Sequence, residues 1–143
     1  MHDPPAEGPD PLPAVDALPL SGVRVLDFTQ ALAGPYCTML LADFGADVAK
    51  VEAPGRGDDS RHWGPPFIGD EAAYFHSVNR NKRSVALDLK SGGGLEAARG
   101  LAAASDVVVE NFRPGTMARL GLGAAELRGH DPRLVYCSIS GFG

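Results

Sequence analysis

The sequence predicts an α/β fold built on a parallel sheet with flanking helices. Three observations carry that prediction. Short apolar, β-branched runs alternate with stretches of helical spacing, in a repeated order of strand, helix, strand. The run Val107, Val108, Val109 is apolar at successive positions, as in a strand covered on both faces. The connections are long enough to hold helices, and parallel neighbours joined in this way take right-handed crossovers. A chain of 143 residues can bury one core. Its 44% hydrophobic and 22% charged residues are ordinary for a soluble globular protein.

Residues 1–19 hold six prolines, four acids and no Lys or Arg. They are expected to form a disordered tail. Order is expected from Leu20, and residues 20–143 read as one domain. Residues 22–28 read as the first strand and 29–34 as a loop. Pro35 suits a first helical position. Tyr36, Cys37, Leu40, Leu41 and Phe44 follow at helical spacing, and Gly45 suits the position just past the helix end. Residues 47–52 read as a second strand around Val48 and Val51. Residues 53–83 are rich in Gly, Pro and charge, with one apolar cluster at Tyr74, Phe75 and Val78. So long a connection is usually functional or mobile. Residues 84–89 alternate Val85, Leu87 and Leu89 as a third strand. Ser91 would cap a helix running to about Ala104, with Leu95, Ala98, Leu101 and Ala102 inward. Gly92, Gly93, Gly94 and Gly100 weaken it by about 1 kcal/mol each, relative to alanine, wherever they are interior. The valine strand, a short helical pattern with Met117 and Leu120, a second short helix over 124–128 and a strand over 134–139 complete the chain. A last strand with no helix behind it leaves an open sheet edge, so poor solubility of the isolated segment is expected.

The net charge of −5 is misleading. The tail holds four of the 18 acids and none of the 13 bases, so the rest is nearly neutral. A basic field for nucleic acid is absent. No apolar run approaches the ~18 residues of a membrane span, and the acidic N-terminus fits neither a secretory signal nor a transit peptide. Cys37 and Cys137 lie in apolar patterns and read as core thiols in a reducing compartment. A cytoplasmic location follows. His62, His76 and His130 are too scattered for a zinc signature, so no metal is expected. Asp58, Asp59, Asp70 and Glu71 read as solvated loop acids. Arg80, Lys82, Arg83 and Lys90 read as a solvated face, with phosphate contact as the competing role. Ser138 and Ser140 lack the G-x-S-x-G elbow of a serine hydrolase. The first strand-helix-strand unit resembles a dinucleotide site, with Glu52 at the spacing of a ribose-binding acid. Its turn, TQALAGP, lacks G-x-G-x-x-G, which argues against a nicotinamide or flavin enzyme.

The most pointed segment is DVVVENFRPGTMARLG, residues 106–121. The strand ends in Glu110, Asn111, Phe112 and Arg113, and Pro114-Gly115 turns it into a helical pattern containing Arg119. An amide, an aromatic ring, a guanidinium and a helix N-terminus at one strand end suit a nucleotide. An ordinary loop with a solvated arginine is the alternative. Ligands of open α/β sheets lie beyond the carboxyl ends of the strands. Here those ends are residues 27–33, 52 onward, 110–113 and 138–143.

Four separated segments, LSGVRVLDFTQALAGPYCTMLLADFGADVAKVEAPGRGD, YFHSVNRNKRSVALDLK, DVVVENFRPGTMARLGL and PRLVYCSISGFG, resemble the start of the family III CoA-transferases. α-Methylacyl-CoA racemase is a close relative of that group. The resemblance covers about residues 20–143. It implies a Rossmann-like large domain, of which this chain would be the incomplete N-terminal part, in an interlocked homodimer. It implies transfer of CoA from an acyl-CoA to a carboxylic acid, with an aspartate carrying the acyl group as a mixed anhydride. That aspartate, and the histidine and aspartate of the racemases, would lie beyond the SGFG segment, so no catalytic residue is expected here. Matching positions imply coenzyme A contacts at Leu32, Ala33, Leu87, Asp88, Lys90, Asn111, Phe112, Arg113 and Arg119. Lys90, Arg113 and Arg119 would meet phosphates. Leu32, Leu87 and Phe112 would wall the adenine, and Asn111 would fix a polar edge. One departure is Ala53, where some members carry an arginine; Arg56 or Arg61 would have to substitute. The alternatives are an epimerase of the racemase type and a non-catalytic CoA-binding fragment.

Overall fold

The computed structural model describes residues 18–141. The expected tail lies outside the described residues, except Leu18 and Pro19. Leu18 is already in a turn, its carbonyl accepting from Ser21 N at 3.0 Å.

The element order is β1 (Arg24–Asp27), α1 (Ala33–Asp43), β2 (Asp47–Glu52), a 3-10 turn (Asp59–His62), β3 (Phe67–Ile68), β4 (Glu71–Ala72), α2 (Ala73–Asn79), β5 (Lys82–Ala86), α3 (Gly92–Ala103), β6 (Val107–Glu110), α4 (Thr116–Arg119), α5 (Ala124–His130) and β7 (Val135–Ser138). Five strands form one parallel sheet in the order β5-β2-β1-β6-β7, and β3 pairs antiparallel with β4. The third parallel strand begins at Lys82, two residues before the sequence expectation, because Lys82 pairs in register with Val48. Residues 53–83 are not one structureless connection. They hold the 3-10 turn, the small hairpin and α2, whose inner face is Phe75, Val78 and Asn79.

Strand alternation divides the core between two faces. Val25, Val48 and Val109 meet Ala42 and Ala46 on the α1 face. Leu26, Phe28, Val51 and Val108 meet Ala98, Ala102, Met117, Leu122 and Leu127 on the opposite face. Helices on both faces explain why β6 is apolar at successive positions, with Val108 and Val109 at 0% and 1% exposure. Ser91 caps α3 as expected, its Oγ accepting from Gly94 N at 3.0 Å. Gly45, just past α1, takes φ 100°, a left-handed backbone suited to glycine. Pro35 is the third helical residue rather than the first, a position whose N–H has no intrahelical partner in any case. The edge strands are β5 and β7, and Val135 on β7 is 57% exposed.

Candidate functional site

The strand order reverses between β1 and β6. From β1 the chain leaves to α1 on one face, and from β6 to α4 on the other. Loops that diverge in this way open a crevice at the carboxyl ends of the two strands, where ligands of open α/β sheets bind. The crevice here is a cleft of about 420 Å³ lined by Ala33, Asn111, Phe112, Arg113, Pro114, Ile139, Ser140 and Gly141.

Its walls are fixed by polar contacts. Glu110, buried at the end of β6, accepts from Phe112 N at 2.9 Å and from the Ser138 hydroxyl. Asn111 spans the crevice to the β1–α1 loop. Its Oδ1 accepts from Gln30 N and its Nδ2 donates to Gln30 O, each at 2.8 Å. The loop also packs closely on α1: a Cβ at Gly34 would lie 2.3 Å from Thr29 Cβ. Ala31 adopts φ 69°, rare for a residue with a side chain.

Beneath this loop lies a buried ionic network. Asp27 accepts from Thr29 N, Thr29 Oγ1 and Thr38 Oγ1, at 2.8, 2.6 and 2.6 Å, and from Lys82 Nζ at 3.1 Å. Lys50 Nζ donates to Thr29 O at 2.6 Å and lies 2.9 Å from Asp58 Oδ2. That carboxylate oxygen has the ion pair but no well-aligned hydrogen bond. Burial pushes the Lys82 ammonium down to about 8, against the attraction of Asp27. Burial works to raise Asp58, and the Lys50 charge and the Ser60 hydrogen bonds overcome it, holding the carboxyl below its ordinary 3.8. Asp58 and Lys82 thus correct the reading of solvated loop acids and a solvated basic face. Both are interior, and Lys82 is not free to meet a phosphate.

Glu52 is also spent inside the protein. It takes Arg61 Nε at 2.7 Å, Arg61 Nη2 at 2.6 Å, Ser84 Oγ at 2.7 Å and Asp58 N at 2.8 Å. Burial works to raise its carboxyl, and these hydrogen bonds outweigh it and hold it below the ordinary 4.5. Arg61 also pairs with Glu71, and its guanidinium carbon lies 3.7 Å from the centroid of the Phe75 ring. Arg61 is therefore engaged and is not a free replacement for the arginine missing at Ala53, whereas Arg56 makes only an exposed surface pair with Asp59 at 3.0 Å.

The sequence-predicted residues fall into two groups. Ala33, Asn111, Phe112 and Arg113 share the crevice, with Leu32 52% exposed at its α1 side. Arg119 lies beside Gly115 and donates to Thr116 Oγ1 at 3.0 Å. Leu87, Asp88 and Lys90 lie past β5, three strands from β6 or about 14 Å across the sheet. Leu87 and Phe112 both pack against the core cluster on the α3 face, which connects the two groups along that side. Asp88 braces its own turn, accepting from Lys90 N at 2.9 Å and from Ser91 N at 3.0 Å.

Eight of the 13 lysines and arginines pair with carboxylates among the described residues. The other five are Lys90, Arg99, Arg113, Arg119 and Arg128. Arg99 donates instead to the carbonyls of Leu120 and Gly121. Three of the four cations that remain are sequence-predicted phosphate contacts. A larger cleft of about 490 Å³ lies at the other end of the sheet, between α3 and α5. It mixes Arg99, His130 and Arg133 with Glu126 and Asp131, so it offers no net field for an anion. The crevice is favoured on chemistry and on topology. Among the described residues no group of His, Cys, Asp and Glu is placed to hold a metal ion, and no helix is long and apolar enough to cross a membrane.

Sequence reasoning missed the loop-holding role of Lys50 and Asp58. One signal was available: Lys50 follows Val48 by two in DVAKVE, so alternation aims it inward with the valine.

Succinyl-CoA:glutarate CoA-transferase of Mus musculus is 53% identical over 125 residues, covering 87% of this chain and 29% of that protein. Succinyl-CoA:mesaconate CoA-transferase of Haloarcula hispanica is 58% identical over 129 residues, covering 87% and 32%. Acetyl-CoA:oxalate CoA-transferase of Acetobacter aceti is 47% identical over 131 residues, covering 92% and 33%. The chain thus spans about a third of the length of these relatives. The crystal structure of a CAIB/BAIF family protein from Brucella suis matches with a TM-score of 0.84 and 48% identity, covering 88% of this chain and 34% of that one. The family model for CoA-transferase family III matches residues 20–143, and the chain belongs to that family.

Proposed function

We propose that this chain forms the CoA-binding part of an enzyme that moves CoA from an acyl-CoA to a free carboxylic acid. The observation that supports the reading is the set of cations that have no carboxylate partner among the described residues, Lys90, Arg113 and Arg119, at the carboxyl side of a sheet whose other basic groups are nearly all paired. Phosphates are the natural partners of such groups. Phe112, half-buried beside Arg113, and the apolar Leu32 and Leu87 suit the adenine and the thioester-bearing arm. Asn111 gives its amide to Gln30, so its effect on the ligand is through the loop. The relatives described above are named as transferases, which favours transfer over epimerisation.

The chemistry follows from exchange between a thioester and a carboxylate. An enzyme carboxylate attacks the acyl-CoA carbonyl, the C–S bond breaks, CoA leaves as thiolate and a mixed anhydride remains. In this reading the attacking aspartate is not among these 143 residues. A homodimer and a cytoplasmic location belong to the same reading, as does the absence of a metal.

Titration calorimetry with CoA tests it. The protein is expected to bind, and Arg119→Ala should weaken binding by about tenfold, as for loss of one charge-assisted hydrogen bond to phosphate. An unchanged dissociation constant removes Arg119 from the site. Mass spectrometry after incubation with an acyl-CoA should show no acyl adduct on this chain, and an adduct would place the nucleophile within it.

A further inference from the structure

Three consecutive residues between β1 and α1 are held from three other parts of the fold. Lys50 on β2 donates to Thr29 O. Asn111, past β6, closes on both backbone groups of Gln30. Asp58 Oδ1 lies 3.3 Å from Ala31 N, which donates to it. Ala31 keeps its left-handed backbone inside this frame, and such strain persists only where the surroundings over-determine it. Asn111 therefore ties the loop that carries Ala33 to the loop that carries Phe112 and Arg113, the two walls of one crevice. Lys50 and Asp58 are each 1% exposed, so neither can touch a ligand there.

We infer that Asn111, Lys50 and Asp58 are positioning residues, which preset the Thr29–Ala31 backbone and so the spacing of the crevice walls for CoA. This rests on the functional reading above. A preset wall avoids an ordering cost on binding, so loosening the loop weakens the ligand even when no ligand contact is lost. Asn111 then matters for what it does to Gln30.

The experiment combines amide hydrogen exchange with CoA calorimetry on the unaltered protein, on Asn111→Ala and on Lys50→Met/Asp58→Asn. The double variant replaces a buried ion pair by neutral groups of similar size. Both variants should exchange faster at Gln30 and Ala31, and both should bind CoA at least about fivefold more weakly, the scale of one net hydrogen bond. Faster exchange in the double variant with unchanged affinity would overturn the inference. Weaker binding by Asn111→Ala with unchanged exchange at Gln30 would overturn it too, since Asn111 would then contact the ligand directly. If the buried pair does not fold, Asn111→Asp carries the test. It keeps an acceptor for Gln30 N–H but has no donor for Gln30 O, so faster exchange at Ala31 and weaker binding are again expected, and weaker binding alone overturns the inference. No CoA binding by the unaltered protein defeats the functional reading itself, and the link from loop to ligand with it. Gln30 exchange still judges the clamp separately.

Discussion

Lys82 lies inside the protein with its side chain only 2% exposed, held by Asp27, Asn79 and the Pro35 carbonyl. Burial lowers its folded-state pKa to about 8, whereas the unfolded chain keeps the ordinary 10.5. Between those values the unfolded state binds more protons, so stability rises as pH increases from about 8. The Cys37 thiol, raised by burial above its ordinary 9.0, acts in the opposite sense once unfolded thiols ionise. The clean window is therefore between pH 8 and 9. Urea unfolding should show stability climbing across it, and Lys82→Met should remove the slope; a flat profile in the unaltered protein would contradict the assignment. On the acid side the slope has the same sign, because these pKa values too are lowered by folding. Glu52 and Asp58 are held below 4.5 and 3.8, so their contribution is complete above those values and lost as pH falls through the lower folded ones. Arg61→Ala removes two hydrogen bonds from Glu52, the pair with Glu71 and the contact on Phe75. It should cost about 3 kcal/mol in urea unfolding, as for breaking a largely buried pair, and a loss below about 1 kcal/mol would show the cluster to behave as a surface pair.

At the scale of elements, the β1–α1 connection depends on a missing side chain. A methyl at Gly34 would overlap Thr29, which Asp27 and Lys50 hold from the other side. Gly34→Ala should destabilise by about 1–3 kcal/mol through overpacking, read as a lower Tm. An unchanged Tm would mean that the loop gives way easily. Elements with a periodic apolar face and a marked end were legible in the sequence: β2 and the Ser91-capped α3 fall where spacing and capping place them. The segment 53–83 was not legible, because its order comes from ion pairs rather than from an apolar period. Arg61 draws Glu52 and Glu71 together across 20 positions of sequence that looked solvated. Asp58 was misread for the same reason: its partner Lys50 lies on a strand, and a loop acid shows nothing locally of such a partner. The edge position of β7 among the described residues was legible. Among the described residues β7 pairs on one side only, with β6, and Val135 on it is exposed. Val135→Lys should reduce light scattering of the isolated chain, because an edge charge disfavours strand addition. Equal scattering would place the association elsewhere.

For the whole molecule, parallel topology fixes where function can be. The reversal of strand order between β1 and β6 brings Ala33, Asn111, Phe112 and Arg113 together, although 77 residues lie between Ala33 and Asn111. Motif resemblance proposes those residues as CoA contacts, and the geometry adds which of them are engaged within the protein. Among the described residues Arg113 and Lys90 have no carboxylate partner, whereas Asn111, Asp88 and Arg61 are used within the protein. In the function proposed above, CoA lies along the carboxyl ends of the strands, from the crevice toward the turn after β5. Amide chemical shifts followed during titration with CoA test it most directly. Shifts are expected at Ala33, at residues 111–115 and at residues 87–91, with little change around Arg99, His130 and Arg133. Shifts concentrated in that opposite cleft, or no shifts at all, would contradict it.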